Sequence, residues 1–420
     1  MQLAPESDPL RRSGTLTVVG LADIERAHQT GEGVVRETPV LSSRTLSDGA
    51  GTTIALKAEN LQRTGSFKLR GAFAKIASLG DQTANGVVCG SAGNHAQAVA
   101  YAARTLGVSC EVFMPVAAPI SKVEAAEALG ATVHMVGISV DESIAAALAR
   151  AAEARMAFIH PFDDPEIVAG QGGVGLELLR QVPDMGRVVV PVGGGGLVSG
   201  VAIAVKSVRP DVEVVGVQVE ACASFPASLQ AGEPIAVGSA RTIADGIAVK
   251  RPGALTLKLI DDWVDQILLV SEDEVAEAMV FLLERSKLVV EGAGAVGVAA
   301  LLSGKLSGPT RGTTVLILSG GNVDAGLLAE VARRQETQRG RRMVLQLRIP
   351  DRPGVLAAVL SLIGELGANV VDVQHTRERL DLHIQETAVQ LVLETRGSEH
   401  ATAVRAQLDA AGYREVSWGS

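Results

Sequence analysis

Apolar residues fall into two rhythms along the chain. Short runs at residues 53–58, 86–89, 110–114, 132–136, 188–192, 214–219, 266–270 and 314–318 are bounded by glycines and polar turns. Such runs predict short buried strands. Between them, Leu21–Thr30 and residues 97–106, 121–129 and 143–155 repeat apolar positions three and four apart, which predicts helices. Strands alternating with helices imply right-handed parallel βαβ units, so the fold class is α/β with parallel sheets flanked by helices. Residues 57–158 are expected to form a small lobe inserted in a larger one. Ile159-His160-Pro161-Phe162-Asp163-Asp164-Pro165 reads as the return, and the glycines of 170–175 with the helix after them lead to the strand 188–192. Residues 1–18 read as a loose tail.

A different pattern closes the chain. Residues 335–342 are polar and basic without apolar period, which predicts a linker after a first domain of residues 1–334. Residues 343–349 then alternate as a strand. Asp351-Arg352-Pro353-Gly354-Val355-Leu356 starts a helix to Leu366, and Gly367-Ala368-Asn369 caps it. Strands at 370–376 and 389–393 and a helix at 400–410 complete a βαββαβ order over residues 343–420.

Composition narrows the function. A hydrophobic fraction of 47% over 420 residues is ample for large cores and excludes disorder as the default. A net charge of -9 without a basic run argues against nucleic acid and anionic membranes as partners. Cys89, Cys110 and Cys222 are odd in number, far apart and in apolar surroundings, so they read as buried small hydrophobes rather than disulfides or zinc ligands. The first dozen residues lack the apolar core of a signal peptide, and no stretch has membrane length, so a cytoplasmic protein is expected.

Three stretches carry candidate chemistry. In Thr64-Gly65-Ser66-Phe67-Lys68-Leu69-Arg70-Gly71-Ala72, Ser66 reads as an N-cap and Lys68 falls in the first turn of a helix. A cation there meets the positive end of the helix dipole and loses its proton more easily, which makes a nucleophilic amine. Taken alone, such a lysine is more often an ordinary surface residue. Gly193, Gly194, Gly195 and Gly196 stand between a strand and a helix, followed by Leu197. Their exposed amides and the helix dipole make a phosphate cup, with a tight strand–helix connection as the alternative. The third is Cys89-Gly90-Ser91-Ala92-Gly93-Asn94-His95, again a turn from strand to helix.

Together these stretches resemble the threonine dehydratase (threonine ammonia-lyase) and serine racemase group of fold-type-II pyridoxal-phosphate (PLP) enzymes. The resemblance runs from Lys68 to Asn322. It implies a two-lobed catalytic domain in which Lys68 holds PLP covalently and acts as the catalytic base, beside Phe67. Gly193 to Gly196 and Leu197 would hold the phosphate and Asn94 would bond the ring hydroxyl. Ser91, Ala92, Gly93, Asn94 and His95 would receive the substrate carboxylate, His95 having a structural alternative. Ser319, in Ser319-Gly320-Gly321-Asn322, would face the pyridine nitrogen. A neutral hydroxyl cannot keep that nitrogen protonated, which favours elimination over transamination. Gly246 would touch the cofactor through its backbone, and Glu291 reads as a cofactor neighbour or a plain helix-dipole partner. Where racemases carry a serine as opposite-face acid, this chain has Ala92, which cannot move a proton. Gln218 and Ser224 stand where those racemases carry acidic metal ligands, so no divalent site is expected.

Residues 343–420 resemble an ACT domain, which implies an amino-acid effector near Pro353, Gly354, Val355, Leu356 and Asn369, isoleucine being the expectation for biosynthetic members. The family is usually dimeric or tetrameric. The implied activity is deamination of L-threonine to 2-oxobutanoate and ammonia, and of L-serine to pyruvate. The alternatives are another β-eliminating enzyme or racemase of the same fold type, and a non-catalytic amino-acid sensor.

Overall fold

The structure, a computed structural model, describes residues 18–238, 241–306, 308, 311–377, 383 and 385–416. The tail expected at residues 1–18 lies outside them except for Val18. Two compact units divide the chain, Met1–Val323 and Asp324–Ser420.

Among the described residues the first unit holds two sheets. Six strands lie in the order Val40–Ser42, Ile54–Lys57, Thr313–Ile317, Met185–Pro191, Glu213–Val219, Gln266–Val270. All neighbours pair in parallel except the first two. That antiparallel edge was not expected, because a strand of three residues carries no readable alternation. Four further strands, Thr132–Met135, Cys110–Met114, Val87–Gly90 and Ala157–Phe158, form an all-parallel sheet. Each sheet has its own apolar core. Val188, Val190, Val198, Val201 and Val315 belong to the larger, and Leu69, Phe73, Val87, Val99 and Val112 to the smaller. The strands are valine-rich without alternation because helices cover both faces.

The helix Pro165–Gln181 corrects one expectation. It starts before the glycines of 170–175 and runs through them. Asp164 caps it, accepting hydrogen bonds from the amides of Glu166 and Ile167, and Pro165 follows at the first helical position. The glycines serve close packing: a Cβ on Gly170 would lie 2.6 Å from Arg70 O, and one on Gly175 2.8 Å from the Ala204 Cβ. Two neighbouring helices, Lys68–Leu79 and Gly196–Val208, are drawn against it in this way.

In the second unit, Arg342–Pro350, Glu386–Glu394 and Asn369–Thr376 form an antiparallel sheet in that order, with helices Val355–Glu365 and Ser398–Ala410. The last expected strand is reduced, among the described residues, to one bridge between Glu415 and Leu347. Much of the expected linker is helical, since Ala325–Gln338 is one helix and Gln335 on it is buried.

Candidate active site

One cleft of the first unit is lined by Phe67, Lys68, Asn94, Gly193, Gly194, Gly195, Gly196, Leu197, Gly246, Glu291 and Ser319, joined by Pro191, Ile247 and Ala293. All the residues expected to touch a cofactor therefore share one wall or another of the same space. They arrive from the starts of four α-helices and the ends of two strands, where open α/β sheets place ligands.

Lys68 is the first residue of the helix Lys68–Leu79. Ser66 does not cap that helix, contrary to expectation. The Phe67 amide donates to Ser319 O at 3.1 Å and Ser66 bridges Gly320, which ties the approach to the strand end before the helix begins. The buried Ser66 hydroxyl has no partner among the described residues. Lys68 Nζ donates to Pro161 O at 2.8 Å. Burial lowers its pKa to about 8, with the charge of Glu291 opposing. His160 fixes the turn that carries Pro161, its Nδ1 accepting from the amides of Phe162 and Asp163 at 3.2 and 2.8 Å. His160 and Pro161 were assigned no role from sequence, and the signal was the His-Pro-Phe-Asp-Asp run.

Gly195, with φ +92, precedes the helix Gly196–Val208. The first amides of a helix lack partners within it and carry its positive end. A Cβ on Gly194 would run into the Phe162 ring, and one on Gly195 would come within 2.9 Å of Phe225 and Thr256. The four glycines are thus closely backed.

Glu291 precedes the helix Gly292–Leu302 but makes no cap bond with its side chain. Its carboxylate accepts from Asn94 Nδ2 at 2.7 Å instead. Burial and then the charge of Asp245 raise its pKa to about 7. Its side chain therefore stands at a helix start and also makes a contact inside the cleft.

His95 stands apart. It is buried, its Nε2 lies 2.9 Å from Ile159 O, and it is not among the lining residues. Burial, then the charge of Lys68, lowers its pKa to about 3, so it stays neutral. Ser91 and Gly93 form the turn, Ser91 Oγ accepting from the Gly93 amide at 3.2 Å, and a Cβ on Gly93 would meet nothing within 4 Å. Ala92 packs against the apolar core of the smaller sheet. Gln218 Oε1 accepts from the Phe225 amide and Ser224 Oγ donates to Val249 O.

Beneath the helix of Lys68 lies a buried ion cluster. Arg70 pairs with Glu59 at 2.8 Å and with Glu177 at 2.6 Å, and Lys57 pairs with Glu177 at 2.5 Å. All four are nearly inaccessible to solvent.

In the second unit Gly354, with φ +89, precedes the helix Val355–Glu365, and Asn369 Nδ2 donates to Glu394 at 3.2 Å. A cavity there is lined by Leu345, Leu347, Arg405, Leu408 and Tyr413 among others, and by none of the five expected effector residues.

An amine, a row of helix-start amides, an amide and a hydroxyl in one cleft match the aldehyde, phosphate, ring oxygen and ring nitrogen of PLP, so the residues present fit that group. Comparison with known proteins agrees. Residues 32–320 match the family "Pyridoxal-phosphate dependent enzyme", and residues 343–409 match the ACT domain. The L-threonine ammonia-lyase of Thermotoga maritima is 45% identical over 398 residues, 94% of this chain and 98% of that protein. The crystal structure of a threonine deaminase from T.th. is 43% identical with a TM-score of 0.69, covering 73% of this chain and 99% of that one. Maize serine racemase is 34% identical with a TM-score of 0.71, covering 76% and 99%. The chain belongs to the pyridoxal-phosphate dependent enzyme family and carries an ACT domain after its catalytic unit.

Proposed function

We propose that this protein is an L-threonine ammonia-lyase, converting L-threonine to 2-oxobutanoate and ammonia and L-serine to pyruvate. One observation carries this: Lys68 and the cradle of Gly193 to Gly196 line the same cleft. The relatives named for that activity support the substrate.

Bound PLP supplies an electron sink for the pair left behind when the substrate's α-proton departs. Lys68 holds the cofactor and, once free, takes that proton on Nζ. The helix-start amides of Gly194 to Leu197 bind the phosphate. Asn94 and Ser319 orient the ring, and the turn of residues 91–93 receives the substrate carboxylate. Loss of the α-proton and the β-hydroxyl, then hydrolysis by water, gives the keto acid and ammonia. The likeness to serine racemase does not extend to racemisation, because Ala92 has no proton to give to the opposite face.

Further inferences accompany this reading. Isoleucine is the effector, bound near Pro353, Gly354, Val355, Leu356 and Asn369. The protein works in the cytoplasm as a homodimer or homotetramer. Among the described residues no helix is long and apolar enough to cross a membrane.

The test begins with absorbance of the purified protein and keto-acid release from threonine and serine, with and without isoleucine. Lys68→Ala abolishes both the visible absorbance of the held cofactor and keto-acid formation; turnover in that variant would defeat the assignment. With Lys68 lowered to about 8, roughly a tenth of it is unprotonated at pH 7, against a few parts in ten thousand for an ordinary lysine. Uptake of PLP by apoprotein therefore accelerates with pH and levels off above about 8. Acceleration that continued to pH 10 would show an unperturbed amine.

A further inference from the structure

The sequence offers Asn322 only as the end of a polar turn. In the structure its Nδ2 donates twice, to Thr64 O at 2.8 Å and to Asn94 Oδ1 at 2.7 Å. A peptide carbonyl can only accept, so the Asn322 atom facing Thr64 is the nitrogen. The same nitrogen faces Asn94, so the Asn94 atom in that contact is the oxygen. Asn94 Nδ2 is then on the other side, where it donates to Glu291 Oε1 at 2.7 Å. One backbone carbonyl thus fixes the direction of every bond in the row Thr64, Asn322, Asn94, Glu291.

This has a chemical consequence at the cleft. An amide nitrogen carries two hydrogens. One of those on Asn94 goes to Glu291, which leaves the second. The Asn94 oxygen is already engaged by Asn322. Asn322 itself is held from behind: Gly65 has φ +73, and a Cβ there would run into Asn322 Oδ1. Three separate segments therefore meet at this side chain, the approach to Lys68, the start of the helix Asn94–Leu106, and the turn after the strand Thr313–Ile317.

We propose that Asn322 is a positioning residue that locks the Asn94 amide with an N–H towards the cofactor, so that this point of the cleft recognises an acceptor oxygen. This rests on the reading that PLP occupies the cleft, in which case the acceptor is its ring oxygen in the ionised form. Without the Asn322 donor, the Asn94 amide is free to turn over and set its oxygen against another oxygen.

The experiment is a double-mutant cycle on the full chain, with PLP as the titrant and two readouts besides turnover. These are the Kd for PLP and the pH titration of the bound cofactor's absorbance. Asn322→Asp keeps the shape and replaces the donor by acceptors. It is expected to raise the Kd about tenfold, the equivalent of ~1.4 kcal/mol for one misdirected hydrogen bond. It is also expected to move the absorbance midpoint to higher pH, because the ionised ring oxygen has lost a donor. In an Asn94→Ala background, Asn322→Asp has no further effect on either readout, since its route of action is gone. Asn322→Ser gives the same pattern with a smaller change and stands in if the aspartate variant does not fold. Equal effects of either substitution with and without Asn94 would mean a purely structural role and overturn the proposal. Unchanged Kd and absorbance in a folded Asn322→Asp protein would overturn it as well, while leaving the PLP reading intact. Failure of the unaltered protein to take up PLP would remove both.

Discussion

Glu177→Gln is expected to cost about 3–5 kcal/mol of stability. The structure sets the terms. Glu177 receives Lys57 Nζ at 2.5 Å and Arg70 at 2.6 and 2.9 Å, and its side chain is 1% exposed. Lys57 and Arg70 are equally buried, so neither can turn to water. Burial already lowers the Lys57 pKa, with Glu59 and then Glu177 opposing. With both carboxylates present the cluster has two positive and two negative charges. The glutamine removes one negative charge and leaves a buried net positive charge, which is the costly case. The double variant Lys57→Met with Glu177→Gln leaves Arg70 and Glu59 as a neutral pair and should cost less than Glu177→Gln alone. Exposed pairs give the contrast: Glu166→Gln breaks the contact with Arg26, which is 57% exposed, and should cost under about 1 kcal/mol. Urea unfolding followed by circular dichroism reads these differences from the transition of the unit Met1–Val323. A Glu177→Gln cost below about 1 kcal/mol, or a double variant as costly as the sum of the two singles, would refute the charge accounting.

Two further outcomes are expected. Glu291, raised to about 7, holds a proton in the folded state over a range where the unfolded chain has released it, so stability falls as pH rises from about 4.5 to 7. Glu291→Gln removes that loss and should be more stable than the parent at pH 8 by on the order of 1–3 kcal/mol, with no gain near pH 4.5; equal differences in melting at both pH values would contradict the shift. Gly194→Ala drives a methyl group into the Phe162 ring and should cost about 1–3 kcal/mol together with most of the PLP affinity. Phe162→Ala in the same chain should restore the melting temperature, and a Gly194→Ala protein with normal melting and PLP titration would show that the cradle has room.

Much of the fold was legible because the catalytic unit obeys simple patterns. Valine-rich runs placed the central strands to within three residues, the strand expected at 188–192 beginning at Met185, and glycines at strand ends marked the cleft. What escaped depended on contacts between distant segments. The glycines of 170–175 look like a loop, and only Arg70, Ile24 and Ala204 pressing on them explain why they are helical. Residues 335–338 look like linker for want of apolar period, yet Gln335 is buried on a helix. Asn322 passed unassigned because its partners, Thr64 and Asn94, lie 258 and 228 positions away. For His95 the resemblance gives a place on the substrate turn, with a structural role as the alternative. The first turn of a helix sends neighbouring side chains in different directions, and His95 turns inward to Ile159.

The departures from local rules also gather at one place. The helix Lys68–Leu79 begins with a cation where acids are favoured, without a side-chain cap, beside a buried hydroxyl that finds no partner among the described residues. Each feature is unfavourable for a helix start taken alone. Two residues on, the same helix is held by Arg70 between two buried carboxylates, and Gly71 lets it approach Ile167 O and Gln171. The anchoring therefore comes from the helix body, and the lysine of its first turn carries a single hydrogen bond, to Pro161 O. A reactive amine needs that division: a rigid base fixes where Nζ can reach, while burial keeps Nζ easy to deprotonate.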